Sequence, residues 1–186
     1  NIDVFDVELV HTSVPDGLRI DVGLDGISDW SLNNPGDGRF GIQDVHIIEN
    51  DNIFNDDSEV SMGAEQWITI SRHNQKKHNS IEAIKKLKAE GYQIIATTPH
   101  NTDCDLFDVD VSKQKVALIF GAEVNGCSEQ TLALADKKMK IPMYGFTESF
   151  NLSVSVSLCL QHLTYKLRKA DFKWRMTEDE EDKSML

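Results

Sequence analysis

KVALIFGAEVNGCS, residues 115–128, decides the fold: five unbroken apolar positions, Val116 to Phe120, break straight into Gly121 and a loop of small and polar residues. A short run that is apolar on both of its alternating faces belongs to a strand covered on both sides, as strands of parallel sheets are. YQIIATT (92–98) has the same character and ends in Thr97-Thr98-Pro99-His100. Helical patterns separate such runs from about residue 44 onward. The alternation predicts an α/β fold, a largely parallel sheet with helices on both faces.

Working outward, DVHIIE (44–49) reads as a short buried strand and WITIS (67–71) as a second. Asn79 is placed to cap a helix, with Glu82 three residues on as a capping box, Ile81, Ile84 and Leu87 on one face, and Gly91 as the stop. KVALIF (115–120) follows as a strand, Ser128 as the cap of a short helix through Ala135, and Lys140–Met143 as a short strand. Leu152 to about Lys169 forms a long helix. Residues 1–38 differ: the first ten alternate as strands do, while glycines, prolines and single acids are scattered through the rest, and SLNNPGDG (31–38) is turn chemistry.

The 186 residues suit one domain, and 40% hydrophobic residues with only 4 prolines supply enough apolar mass for a full core. No stretch approaches the roughly 20 apolar residues of a membrane span, and NIDVFDVELV lacks a basic segment followed by an apolar one. A soluble, cytoplasmic protein is expected. Cys104, Cys127 and Cys159 are odd in number without CxxC spacing, which indicates neither a disulfide framework nor a metal site. The net charge of −12 argues against a generic nucleic-acid coat, but it is unevenly spread. Residues 1–38 contribute −7 and the acids at 178–182 a further −5, so the remainder is neutral and its bases cluster. Residues 176–186 read as a frayed acidic tail.

No GxGxxG follows a strand, and GxxxxGK[ST], HExxH and GxSxG are absent. Instead, two loops follow strands, FGAEVNGCS (120–128) and IPMYGFTESFNLSVS (141–155), each joining glycines to a carboxylate and small hydroxyl residues. Such loops suit a ligand held largely by backbone groups. They resemble the second and third motifs of the SpoU, or TrmH, family of RNA ribose 2′-O-methyltransferases in the SPOUT superfamily. Phe120-Gly121-Ala122-Glu123 with Gly126 and Ser128 matches the second motif, and Ile141-Pro142-Met143, Gly145, Ser149, Asn151 and Ser153-Val154-Ser155 match the third. The resemblance runs from about Phe40 to Trp174, takes in FGIQDVHIIEN, SMGAEQW and IIATTPH, and is strongest to the tRNA guanosine methyltransferase branch.

That resemblance implies a C-terminal deep trefoil knot, an exception to the rule against knotted chains. It implies S-adenosylmethionine as cofactor, bound by Thr98, Gly121, Ile141, Met143, Gly145 and Phe150, and a homodimer with the helix from residue 152 at its interface. It implies methyl transfer to a ribose 2′-hydroxyl of tRNA or rRNA, with Glu123, Ser149 and Asn151 in supporting catalytic positions and no metal. Lys166, Arg168, Lys169, Lys173 and Arg175 then form a candidate phosphate track rather than a merely solvated face.

The first motif departs from the family. Its arginine, six residues before Gly41, falls on Pro35, and its asparagine falls on Asp29; neither can substitute. Arg39 and Arg19 are the candidate replacements. Either the motif is rebuilt by a local insertion, or the chain is a catalytically impaired module that keeps cofactor and RNA binding; a third reading is a pocket for another adenine-containing ligand. Among single residues, His46 reads as a satisfied core histidine, His100 is open between core and site, and Cys127 reads as a small buried hydrophobe. Ser149 and Asn151 also suit a helix N-terminus.

Overall fold

The computed structural model describes residues 10–11, 20–22, 44–48, 69–75, 79–121, 126–146 and 149–169. In chain order these hold β1 (Val10–His11), β2 (Ile20–Val22), β3 (Asp44–Ile48), β4 (Thr69–His73), α1 (Asn79–Ala89), β5 (Tyr92–Thr97), β6 (Cys104–Asp105), a 3-10 turn (Leu106–Asp108), β7 (Lys115–Ile119), α2 (Glu129–Leu134), β8 (Lys137–Lys140) and α3 (Leu152–Lys169). Five strands make one sheet in the order β2-β7-β5-β8-β6, every pair parallel. A second sheet runs β1-β3-β4, with β1 antiparallel and β4 parallel to β3. The α/β architecture and the parallel sheet agree with the sequence.

Period-two alternation in β5 and β7 sorts the core into two layers. Ile95, Val116, Leu118 and Phe120 face Val156, Leu160, Leu163 and Leu167 of α3. Ile94, Ala96, Ala117 and Ile119 face Ala83, Ile84 and Leu87 of α1, with Leu132 and Leu134 of α2 packed against the same cluster. Helices thus cover both faces, and each fully buried Leu or Ile contributes about 1.5–3 kcal/mol of burial free energy.

α1 ends as its sequence dictates. Gly91 takes φ +87°, and the amides of Glu90 and Gly91 return to the carbonyls of Lys86 and Lys88, each at 3.0 Å. Asn79 is itself the first helical residue, one step inside the cap position expected. At α2, Ser128 is the cap: its side chain accepts from the Thr131 amide at 3.2 Å.

Two strands also differ in their bounds from the sequence reading. The strand expected at Lys140–Met143 lies at Lys137–Lys140, where Met139 alone is buried. Pro142 has no amide to offer a ladder, whereas the Met139 carbonyl accepts from Thr98 and the Lys138 main chain exchanges two 2.8 Å bonds with Asp103. β4 reaches His73 rather than stopping at residue 71, because His73 finds a partner: its Nε2 lies 2.9 Å from Nδ1 of the buried His46. β2 and β6 were not foreseen.

Among the described residues, no helix is long and apolar enough to cross a membrane.

Candidate functional site

β5, β7 and β8 lie side by side and point the same way, so their C-terminal ends open together. Ligands of open parallel sheets sit at such strand ends. Here the ends are stitched to one another. Thr97 Oγ1 donates to the Ile119 carbonyl at 3.0 Å, joining β5 to β7, and the Thr98 amide donates to the Met139 carbonyl at 2.9 Å, joining β5 to β8. The Cys127 thiol donates to the carbonyls of Thr97 at 3.4 Å and Ile119 at 3.8 Å, pinning the returning end of the 120–128 loop over both strands. Cys127 is buried, as the sequence suggested, but it also ties the loop down.

Above these ends lies a cleft of about 510 Å³, within the usual size of small-molecule sites, about 300–1,000 Å³. Thr98 to Asn101 form one wall, Gly121, Gly126 and Cys127 a second, and Met139, Ile141 and Met143 a third; Ser149, Phe150, Leu152 and Ser155 close it from the head of α3. Gly121 has no alternative residue: an added Cβ would collide with the main chain of Gly126 and Cys127. Gly126 has φ +65°, the left-handed conformation that turns the loop back. Past β5, the Thr98 hydroxyl bonds the amide and carbonyl of His100 at 3.3 Å each, and Asn101 completes the turn at φ 49°.

Five of the six residues assigned to cofactor binding, Thr98, Gly121, Ile141, Met143 and Phe150, line this cleft. Gly145 stands exposed beyond them and is not part of the wall. Ser149 lines the cleft; Asn151 immediately precedes α3, and its carbonyl accepts from the Ser155 amide at 2.9 Å. Glu123, Arg39, Arg19, Lys173 and Arg175 lie outside the described residues. His100, Asn101, Lys138 and Gly126 also line the cleft and are not singled out as ligand residues by the sequence, although His100, Asn101 and Gly126 follow strands that build it and Lys138 lies within β8.

Of the candidate phosphate contacts, Arg168 and Lys169 are exposed in the last turn of α3. Lys166 is committed elsewhere: its ammonium donates to the carbonyls of Phe107 at 2.6 Å and Val109 at 2.8 Å, clamping α3 to the chain after β6. Burial, and then the Lys166 charge, hold the adjacent His162 below the usual imidazole range. Burial pushes the Cys159 and Cys104 thiols up, so both remain protonated and neither is poised as a nucleophile. Among the described residues, no cluster of three or more His, Cys, Asp or Glu could hold a metal ion.

The described lining residues include no carboxylate. A lining of glycines, small hydroxyl residues and apolar side chains, Phe120, Leu132 and Met139 among them, is suited to a neutral purine. A side chain at Gly121 would disrupt that lining, because the main chain of Gly126 and Cys127 fills the place of its Cβ.

A model of the SpoU rRNA Methylase family matches residues 38–161. The tRNA (guanosine(18)-2′-O)-methyltransferase of Borreliella burgdorferi is 36% identical over 146 residues, covering 78% of this chain and 65% of its own length. The enzyme of the same name from Thermus thermophilus is 38% identical over 103 residues, 55% of this chain and 50% of its own. The chain thus spans about half to two thirds of the length of these curated relatives. Among solved structures, the TrmH/SpoU tRNA modifying enzyme of A. aeolicus superposes with a TM-score of 0.66 at 24% identity, covering 76% of this chain and 70% of that one. The SpoU methyltransferase AviRb of Streptomyces viridochromogenes, solved with AdoMet, superposes at 0.60 and 19% identity over 81% of this chain and 70% of that one. These two likenesses establish the shared fold.

Proposed function

The chain belongs to the SpoU rRNA methylase family, and from that premise we propose that it transfers a methyl group from S-adenosylmethionine to a ribose 2′-hydroxyl of tRNA, with rRNA as the second candidate. One observation carries the reading: the second and third sequence motifs, 20 residues apart from Gly121 to Ile141, meet as two walls of one cleft. The names of its relatives favour tRNA over rRNA.

A ribose hydroxyl is a poor nucleophile at neutral pH, so the protein must position it and help its proton leave. Thr98, Gly121, Ile141, Met143 and Phe150 hold the cofactor, which when bound supplies an activated methyl group on a sulfonium. Ser149 and Asn151 stand where the cleft meets the head of α3 and orient the acceptor hydroxyl, with Glu123 in support. Leu152 and Ser155 bring the first turn of this 18-residue helix to the cleft. The positive end of its dipole favours charge developing on the attacking oxygen. Arg39 or Arg19 takes the place of the guanidinium missing at Pro35. No step calls for a metal.

The reading extends to one domain over 1–186, a cytoplasmic location and a trefoil knot in the C-terminal part. Supporting the knot is the close passage of Gly126 and Cys127 over Gly121, with β7 and β8 on opposite sides of β5. Supporting a homodimer are Val154, Leu158 and Tyr165, exposed along one stripe of α3. Arg168, Lys169, Lys173 and Arg175 contact phosphate.

The test is transfer of a labelled methyl group from S-adenosylmethionine to total tRNA, with equilibrium binding of the cofactor beside it. Asn151→Ala is expected to lower transfer by roughly 100-fold with much less effect on cofactor affinity. Equal losses in both remove Asn151 from the catalytic machinery. Cofactor binding without transfer to tRNA or rRNA establishes instead the impaired module that the altered first motif suggests.

A further inference from the structure

Tyr144 and Phe146 are the most exposed large hydrophobic residues described, at 95% and 106% relative exposure, with only Gly145 between them. A Cβ at Gly145 would meet nothing within 4 Å, so this stretch stands clear of the surface. Two neighbouring aromatic rings held in water expose a large apolar area that marks a contact site. Their position indicates what covers them. Met143, just before the pair, and Ser149 and Phe150, just after it, line the cleft, which puts both rings beside its mouth.

The rest of the cleft lining divides by chemistry. The six residues Ile141 to Phe146, of which Ile141 and Met143 line the cleft, carry no charge, whereas the other walls bring His100, Asn101 and Lys138. An uncharged aromatic surface suits the π-face of a base, and cationic and amide groups suit phosphate and ribose. A ribose that presents its 2′-hydroxyl to the cleft carries its base on the adjacent carbon, so that base must lie close to the mouth. We infer that Tyr144 and Phe146 form a stacking platform for the nucleobase of the nucleotide being methylated, flipped out of its RNA stack. The inference rests on the methyltransferase reading of the cleft and deepens it: the substrate is an unpaired nucleotide recognised partly through its base. A second copy of this chain is the competing occupant of the same rings.

The experiment uses the full chain and total tRNA as probe. It measures tRNA affinity, kcat/KM for transfer, the rise in melting temperature with S-adenosylhomocysteine, and molar mass by light scattering. Tyr144→Ala/Phe146→Ala is expected to weaken tRNA binding and kcat/KM by roughly 5-fold to 150-fold, the effect of losing one stacked base, with the cofactor-induced shift and the mass unchanged. Tyr144→Trp/Phe146→Trp should restore both losses and Tyr144→Leu/Phe146→Leu should not. Unchanged tRNA binding and transfer in the alanine variant, rescue by leucine as good as by tryptophan, or a halved mass overturns the platform and leaves the methyltransferase reading standing. Wild-type protein that binds tRNA through these rings yet transfers no methyl group keeps the platform and removes the activity. Wild-type protein that binds neither tRNA nor rRNA overturns both.

Discussion

Three glycines near the cleft differ in the constraint each satisfies, and replacing each by alanine separates those constraints. At Gly121 the constraint is space, since a Cβ there runs into the main chain of Gly126 and Cys127, which cannot swing aside as a flexible side chain can. Forcing a methyl group into such a contact costs about 1–3 kcal/mol. The loop must also lift from the carbonyls of Thr97 and Ile119 that the Cys127 thiol holds. At about 2–4 °C per kcal/mol for a chain of this size, Gly121→Ala should melt several degrees below wild type. Because the wall itself shifts, S-adenosylhomocysteine should bind roughly 5-fold to 150-fold more weakly. At Gly126 the constraint is backbone angle alone: open space surrounds the Cβ position, but φ is +65°. Gly126→Ala should cost about 1–2 kcal/mol, and Gly126→Asn less, because asparagine tolerates that conformation. At Gly145 neither constraint holds, and Gly145→Ala should change stability by no more than about 0.5 kcal/mol. Thermal unfolding with and without S-adenosylhomocysteine gives all of these values. Wild-type stability and affinity in Gly121→Ala, or a larger loss at Gly145 than at Gly121, would refute the steric argument.

Lys166→Met keeps the alkyl stem but loses the two carbonyl bonds, and should cost about 1–2 kcal/mol in chemical denaturation. Arg168→Ala and Lys169→Ala should leave stability nearly unchanged, weaken tRNA binding, and each lower the slope of log affinity against log salt by about 1; the opposite pattern reverses the assignment of these bases. For pH, burial first and the Lys86 charge second hold His73 below its ordinary value of 6.5, with Glu90 opposing. The folded chain then binds fewer protons than the unfolded one, so stability is complete above about pH 6.5 and falls as pH drops through that value towards the folded-state pKa. Melting temperatures of wild type and His73→Gln from pH 5 to 8 should converge at the acid end, and parallel profiles would remove His73 as the cause. Leu160→Ala, at a fully buried position of α3, should cost about 2–5 kcal/mol by the same denaturation assay.

The layers were legible where one physical cause dominates. β5 and β7 are apolar on both faces because helices cover both, so their sequences need no partner to be read. α1 carries its own stop in Gly91, and α3 its buried spacing at Leu152, Val156, Leu160, Leu163 and Leu167. β8 has no such signature. Lys137-Lys138-Met139-Lys140 is polar at three positions of four, and its strand conformation comes from β5 on one side and β6 on the other. The apolar run just beyond it drew the expected strand three residues too late, because Ile141 and Met143 are spent on the cleft. Hydrophobic residues that serve a ligand and those that serve a core look alike in sequence.

The cleft was legible for a different reason. Local pattern alone marks Gly121 as a residue after a strand; only the resemblance of the whole motif made it a ligand residue. The structure supplies the missing cause, since Gly121 is required by the crossing of its own loop at Gly126 and Cys127 as much as by any ligand. The second motif therefore carries two demands at once, closure of the loop and shape of the cleft. The first-motif positions, Asp29 and Pro35, lie outside the described residues. Because Pro35 stands where the first motif has its arginine, an intact cleft does not by itself establish transfer, and labelled methyl transfer in Arg19→Lys and Arg39→Lys decides the matter. If one guanidinium rebuilds the first motif, the corresponding lysine variant should lose most activity while binding S-adenosylhomocysteine as wild type does. Full activity in both variants would mean that the proton of the acceptor hydroxyl leaves without either arginine.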